Sequence, residues 1–156
     1  MKLRLIAVGT RPAQWVRDGY EEYTRRLGSS LRPVLLEIEP GPRTGGGSPQ
    51  RAIERESRQL LQALKPGEFV VALDEHGRQM SSMDLARFLG ERMRSGEDLA
   101  FLIGGPDGFA PEVLARSRLS LSLSPLTLPH ALVRVVLAEQ LYRAHTLLTG
   151  HPYHRA

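Results

Sequence analysis

Two short apolar runs constrain this chain more than anything else in it. One is Glu68–Leu73, polar only at its first residue; the other is Leu99–Ile103, polar nowhere. Strands that are apolar throughout are buried on both faces, a condition met inside a parallel sheet covered by helices. The other segments fit that plan. Lys2–Val8 alternates and is rich in β-formers, and Pro33–Ile38 and Leu119–Leu123 read as further strands. Helical patterns separate them. Val16, Tyr20, Tyr23 and Leu27 recur at i, i+4, i+7 and i+11 ahead of Gly28. Gln50–Leu64 turns Ile53, Leu60, Leu61 and Leu64 inward, and Ser82–Ser95 follows a capping serine at 81 or 82. Pro111–Arg116 is a short helix and His130–Thr149 the longest one, followed by a tail, Gly150–Ala156. The expectation is an α/β fold: a mostly parallel sheet with helices on both faces. No repeat or linker divides the 156 residues, so a single domain, 1–156, is expected.

Pro40–Pro49 (PGPRTGGGSP) interrupts the pattern. Three consecutive glycines cost too much backbone entropy to be ordered without help. The segment reads as a plain surface loop in preference to one that orders against RNA or a cofactor.

Several function classes drop out on composition. Without cysteine there is no disulfide framework, thiolate nucleophile or cysteine zinc site. The opening MKLRLIAVGT becomes charged too quickly for a signal peptide, and no apolar run approaches the roughly 20 residues of a membrane helix. A soluble cytoplasmic protein with no membrane contact is expected. The net charge is +4, and every basic residue except Lys2 and Lys65 is arginine, whose planar fork suits phosphates and base edges. Beyond Glu112 the one acid is Glu139, against Arg116, Arg118, Arg134, Arg143 and Arg155 and four of the five histidines. Such a basic C-terminal third suggests a polyanionic partner.

In an open parallel sheet, ligands bind at the carboxyl ends of the strands. Three strand ends carry unusual residues: Leu73-Asp74-Glu75-His76-Gly77, Gly104-Gly105-Pro106-Asp107-Gly108, and Leu123 through His130. The glycine loop fails the dinucleotide and phosphate-loop patterns, because it comes late, contains Pro106 and lacks a following G-K-[ST]. Gly104 and Gly105 do allow close backbone approach to a flat ligand. The loop after the fifth strand is almost uncharged and bracketed by Pro125 and Pro129; it suits either a buried connection or a stiff backbone edge that reads an adenine. On the long helix, Val133, Val136, Leu137, Leu141, Ala144 and Leu148 form an apolar stripe that Leu132 and Val135 widen, so part of it suits a second subunit. Arg134, Tyr142 and His145 share another face, and Glu139 and Arg143 make an i, i+4 pair worth a few tenths of a kcal/mol. In the tail, His151 and His154 have no nearby carboxylate to complete a metal site, so no metal is expected.

These motifs resemble a known family. Asp74 within VALDEHG, LIGGPDG at 102–108, SLSPLTLPHALVRVVLAEQLYRA at 122–144 and GHPYHR at 150–155, with KLRLIAVGT at the start, are similar to the pseudouridine N3-methyltransferases of large-subunit ribosomal RNA, the short single-domain branch of the SPOUT methyltransferases. LTLPH, LYRA and HPYHR are the specific elements. The family more often has Asn at position 150, and Glu is common at 107.

The resemblance implies a C-terminal trefoil knot, a homodimer, and S-adenosylmethionine held by Leu73, Gly104 and Leu123, Ser124, Pro125, Leu126, Thr127 and Leu128, to which the glycine-loop argument adds Gly105. It implies 23S rRNA as the substrate, within an assembled large subunit or ribosome because so small a protein has little surface for reading sequence. His154 is expected as the base that takes the N3 proton, with His130 second; Arg155 or Arg134 would stabilise the charge left on the base, and Tyr153 would stack on it. The tail is expected to cross the dimer interface and serve the partner's cofactor site. Rival readings are a tRNA base or ribose methyltransferase of similar build, a non-catalytic ribosome-associated RNA-binding factor, and, least compatible with the loops, a phosphotransferase.

Overall fold

The structure, a computed structural model, describes residues 1–155, with side chains through residue 153. Five strands, β1 (Leu3–Val8), β2 (Val34–Ile38), β3 (Phe69–Gln79), β4 (Leu99–Ile103) and β5 (Leu119–Ser122), form one sheet in the order β2-β1-β4-β3-β5. Every pairing is parallel. Five helices alternate with them: α1 (Gln14–Thr24), α2 (Pro49–Ala63), α3 (Ser82–Ser95), α4 (Pro111–Arg116) and α5 (His130–Thr149), and a 3-10 turn spans Pro152–Arg155. None of the described helices is long and apolar enough to cross a membrane.

The apolar β4 and the apolar first half of β3 lie inside the sheet beside β1, where burial on both faces suits them. Their side chains alternate between two cores. Leu5, Val71, Phe101 and Ile103 pack beneath α3 and α5, whereas Ile6, Val70, Ala100 and Leu102 pack beneath α2 and α4. Full burial of Phe101 contributes roughly 1.5–3 kcal/mol. Helix α5 lies between α1 and α3 on the first face and buries Leu137, Leu141, Tyr142 and Ala144. Flanked on both sides, it is apolar over most of its girth. Ser81 is the N-cap of α3, its Oγ accepting from the Asp84 N–H at 3.0 Å, and Gly96 ends that helix in the left-handed conformation.

Several boundaries depart from expectation, and four are informative. Helix α1 stops at Thr24, and turns carry Leu27 and Leu31 into the core instead. Glu68 stands just outside β3, where its buried carboxylate accepts from Arg4 Nε at 2.8 Å and from the Lys65 N–H at 2.7 Å. Burial opposes its ionisation, yet these hydrogen bonds and the charge of Arg4 hold it below the ordinary carboxylate range. Strand β5 ends one residue early, at Ser122. Strand β3, in contrast, runs on to Gln79. Leu73 pairs with Leu121, the chain makes an excursion over Asp74–Gly77, and Arg78 then pairs with the same Leu121. Hydrophobic periodicity ends at Asp74, so no pattern in the sequence marks the return.

Candidate active site

The strand order sets β4, β3 and β5 side by side. The loops leaving their carboxyl ends therefore converge, and with the start of α5 they enclose a cleft of about 780 Å³. Leu73, Ile103 and Leu121 give it apolar walls at the strand ends.

One rim is the β3 excursion, which presents Asp74, Glu75 and His76. The excursion depends on Gly77: a Cβ there would stand 2.6 Å from the Ser120 carbonyl, well inside van der Waals contact. The opposite rim is the loop after β4, closed by a hydrogen bond from the Gly108 N–H to the Gly105 carbonyl at 3.1 Å. Gly105 lies directly on Glu56, whose Oε1 a Cβ would meet at 2.9 Å. The third wall is the loop after β5. Its Ser124 Oγ accepts from the Leu126 N–H at 2.9 Å, and Thr127 donates to Glu75 Oε2 at 3.1 Å, tying this loop to the β3 excursion.

His130 opens α5 at the edge of the cleft, half-buried. Burial, then the positive charges of Arg134 and Arg43, lower its pKa from the ordinary 6.5, while Glu56 opposes them. His130 is therefore a neutral imidazole at neutral pH, a form able to accept a proton.

Leu73, Gly104, Gly105, Leu123, Ser124, Leu126, Thr127, Leu128 and His130 line this one cleft. Pro125 belongs to the same loop without lining the cleft. Arg134 and Tyr153 stand elsewhere. Arg134 is buried between α5 and the ends of β1 and β2, donating to Glu37 Oε2 and to the Gly9 carbonyl, each at 2.6 Å. Tyr153 packs on Tyr142 with ring centroids 4.6 Å apart and donates from its hydroxyl to Glu139 Oε1 at 3.0 Å. Tyr142 follows His130 by twelve residues, about 18 Å along a helix, so within one subunit the tail is remote from the cleft. The Glu139–Arg143 pair is consequently not a free surface pair: Arg143 Nη2 lies 2.6 Å from Glu139 Oε1 and its guanidinium covers the Tyr153 ring. The side chains of His154 and Arg155 lie outside the described residues.

The basic C-terminal third is also less free than its composition implies. Arg118, Arg134 and Arg143 are paired with Glu97, Glu37 and Glu139 respectively. Sequence reasoning missed two groups behind the glycine loop, Arg43 and Glu56. Glu56 reads as one of many surface charges on α2, yet it is 1% exposed. No spacing signal distinguishes it; the nearest clue was that a glycine run needs outside help to be ordered. Among the described residues no cluster of three histidines or carboxylates could hold a metal ion.

A family model described as "Predicted SPOUT methyltransferase" matches residues 1–154. The chain is 54% identical over all 156 residues, and over the full length of the relative, to the ribosomal RNA large subunit methyltransferase H of Stenotrophomonas maltophilia. Among solved structures it resembles one from Bordetella pertussis Tohama I described as "Probable Methyltransferase", with a TM-score of 0.57 at 16% identity over 92% of this chain and 93% of that one. It also resembles one from Legionella pneumophila "in complex with the bound cofactor SAM", with a TM-score of 0.51 at 12% identity over 92% of this chain and 66% of that one. At those identities the structural likeness bears on the fold alone.

Proposed function

This chain belongs to the SPOUT methyltransferase family, and from that premise we propose that it methylates N3 of a pseudouridine in 23S ribosomal RNA with S-adenosylmethionine as donor. The observation that carries the proposal is the full-length identity to a large-subunit rRNA methyltransferase together with a cleft built from the loops that carry the family's motifs.

The residues present fit an adenosyl group. The cleft is roomy enough for a cofactor of that size. Gly105, backed by Glu56, keeps the backbone low on one side, and the 123–128 segment supplies a stiff, nearly uncharged wall on the other. Leu73, Gly104, Gly105 and Leu123, Ser124, Pro125, Leu126, Thr127 and Leu128 are the proposed binding residues. When bound, S-adenosylmethionine supplies a methyl group already activated by its sulfonium, so what remains for the chain is orientation and the handling of one proton.

N3 of pseudouridine is an imide nitrogen that becomes nucleophilic as its proton leaves. His130, neutral at the cleft edge, is placed to take or relay that proton. His154 is the alternative base and Arg155 the proposed partner of the charge spreading onto the flanking carbonyl oxygens; Tyr153, packed on Tyr142 and covered by Arg143, is better suited to holding the tail than to stacking on the base. Arg134, with both arms occupied, is better suited to holding the base of α5 than to meeting substrate. Tyr153 keeps its proton: burial, then its bond to Glu139, push the phenol well above its ordinary range.

The distance of the tail from its own cleft favours action on the cleft of a second subunit, in a homodimer. Apolar surface is available for such a contact: Trp15, Val34, Leu35 and Leu36 are exposed, and Leu132, Val135 and Val136 are half-buried along α5. A C-terminal trefoil knot in a single domain is part of the same reading. It is supported by the chain leaving the sheet at edge strand β5 and returning as α5 between α1 and α3. A cytoplasmic location fits a ribosomal substrate and a chain without cysteine.

The test is mass spectrometry of rRNA after incubation with protein and donor, using naked fragments, isolated large subunits and whole ribosomes from cells lacking the modification. One methyl added at a pseudouridine base, with assembled particles preferred, is the expected result. Methyl transfer only to tRNA, or none to any RNA, would overturn the proposal.

A further inference from the structure

Behind the loop that follows β4 lies an ion-pair system that the chemistry above does not use. Glu56, on α2, is among the most buried side chains in the chain and is ionic. Its Oε2 accepts from the Gly41 N–H at 2.8 Å and from Arg43 Nη1 at 2.6 Å, and its Oε1 accepts from Arg43 Nη2 at 3.1 Å. Arg43 has a third engagement: its Nε donates to Asp107 Oδ2 at 2.8 Å. Asp107 lines the cleft, and Gly105, two residues before it, rests on Glu56 and Arg43. Three segments remote in sequence thus meet at one guanidinium.

We propose that Arg43 and Glu56 are positioning residues for methyl-donor binding: a clasp that holds the Gly104–Gly108 loop open to the cofactor and makes the glycine-rich segment 40–49 a built part of the site. The inference rests on the reading of the cleft as a donor site. Its physical basis is the cost of burying a carboxylate, which is met only when the charge is paired and its lone pairs are satisfied. Glu56 therefore fixes Gly41 and Arg43 in place, and Arg43, with a planar fork that lysine lacks, transfers that order to Asp107. A loop ordered before the ligand arrives loses less entropy on binding it. The same bonds supply the help that the glycine run needs to be ordered.

Replacing Arg43 alone would strand a buried carboxylate and risk unfolding the chain, so the informative variant is Arg43→Met combined with Glu56→Met, which removes both charges and keeps their bulk. Thermal melting by circular dichroism checks that it folds. Calorimetry with S-adenosylmethionine on the full chain should then show affinity weakened roughly tenfold or more, and steady-state methylation should show the donor KM raised with kcat at saturating donor nearly retained. Asp107→Ala should weaken binding in the wild-type background and add nothing in the double variant, because Asp107 acts through Arg43. Amide hydrogen exchange should quicken at Gly105 and Gly108 in the double variant even without donor. A folded double variant that binds donor as tightly as wild type, or Asp107→Ala effects that add fully, would overturn the clasp. Failure of the wild type itself to bind donor would instead overturn the donor-site reading, and the exchange at Gly105 and Gly108 would still decide whether the clasp orders the loop.

Discussion

The guanidinium of Arg134 donates to the carbonyl oxygen of Gly9 at 2.6 Å, joining the start of α5 to the turn that ends β1. Its other arm pairs with Glu37 on β2, so one buried side chain ties the last helix to the first two strands. Arg134→Met should leave that carbonyl and carboxylate without their donor and cost about 2 kcal/mol, less than a fully buried pair because Glu37 is partly solvated. Arg134→Lys should recover only part of the loss, since one ammonium cannot fork to both partners. Urea unfolding, with the midpoint lowered and the slope unchanged, checks both.

His130 should titrate below 6.5 in the folded protein, because burial and the charges of Arg134 and Arg43 disfavour its imidazolium. Its folded midpoint lies under the unfolded one, so between the two values the unfolded chain binds more proton. The stability His130 contributes is complete above pH 6.5 and is lost as the pH falls through the lowered midpoint. NMR titration of the imidazole should show the shift, and His130→Gln should flatten the acid limb of unfolding stability. A midpoint at or above 6.5 would contradict the site electrostatics.

Tyr153 makes a separate prediction about pH. Its phenol stays protonated and donates to Glu139, so Tyr153→Phe should lower single-turnover methylation by a factor that stays constant from about pH 6 to 9. His154→Ala should instead change the shape of the profile if that residue is the base. Unchanged rates and profiles in both variants would remove the tail from the chemistry.

Subunit mixing tests whether the tail serves the partner's cleft. Gly105→Val should deform the cleft by forcing the loop off Glu56 and Val8 behind it, and His154→Ala disables the tail. With His154 acting at the partner's cleft, each should be nearly inactive alone. Mixed after reversible dissociation, half the dimers are hybrids with one working cleft and one working tail, and about a quarter of wild-type activity should return. No recovery would mean that each tail serves its own subunit.

Gly77→Ala should be more disruptive than its size suggests. The added methyl would meet the Ser120 carbonyl at 2.6 Å, an obstacle that is backbone and cannot swing aside. The second pairing of β3 with β5 should be lost, with a stability cost of about 1–3 kcal/mol or more and weaker donor binding. Calorimetry that finds donor affinity intact would separate the excursion from the site.

Much of this protein was written in local pattern. The apolar runs at β3 and β4 required a covered parallel sheet, and Ser82–Ser95, Leu99–Ile103, Pro111–Arg116 and His130–Thr149 keep their anticipated bounds in the structure. They are legible because burial on two faces, helix capping and proline at a first turn each act within a few residues. The three strand-end loops were legible for the same reason, since ligands in such sheets gather where the strands end. What the tertiary structure alone decided are the relations between distant segments: the order β2-β1-β4-β3-β5 that brings those loops to one cleft, the return of β3 past Gly77, and the burial of Glu56 under Gly105. It also decided that Arg134 faces Gly9 and Glu37, and that Tyr153 faces Glu139. A charged side chain reads the same in sequence whether it meets water or a partner a hundred residues away. Only the packed fold, which makes an unpaired buried charge too costly to keep, selects its partner.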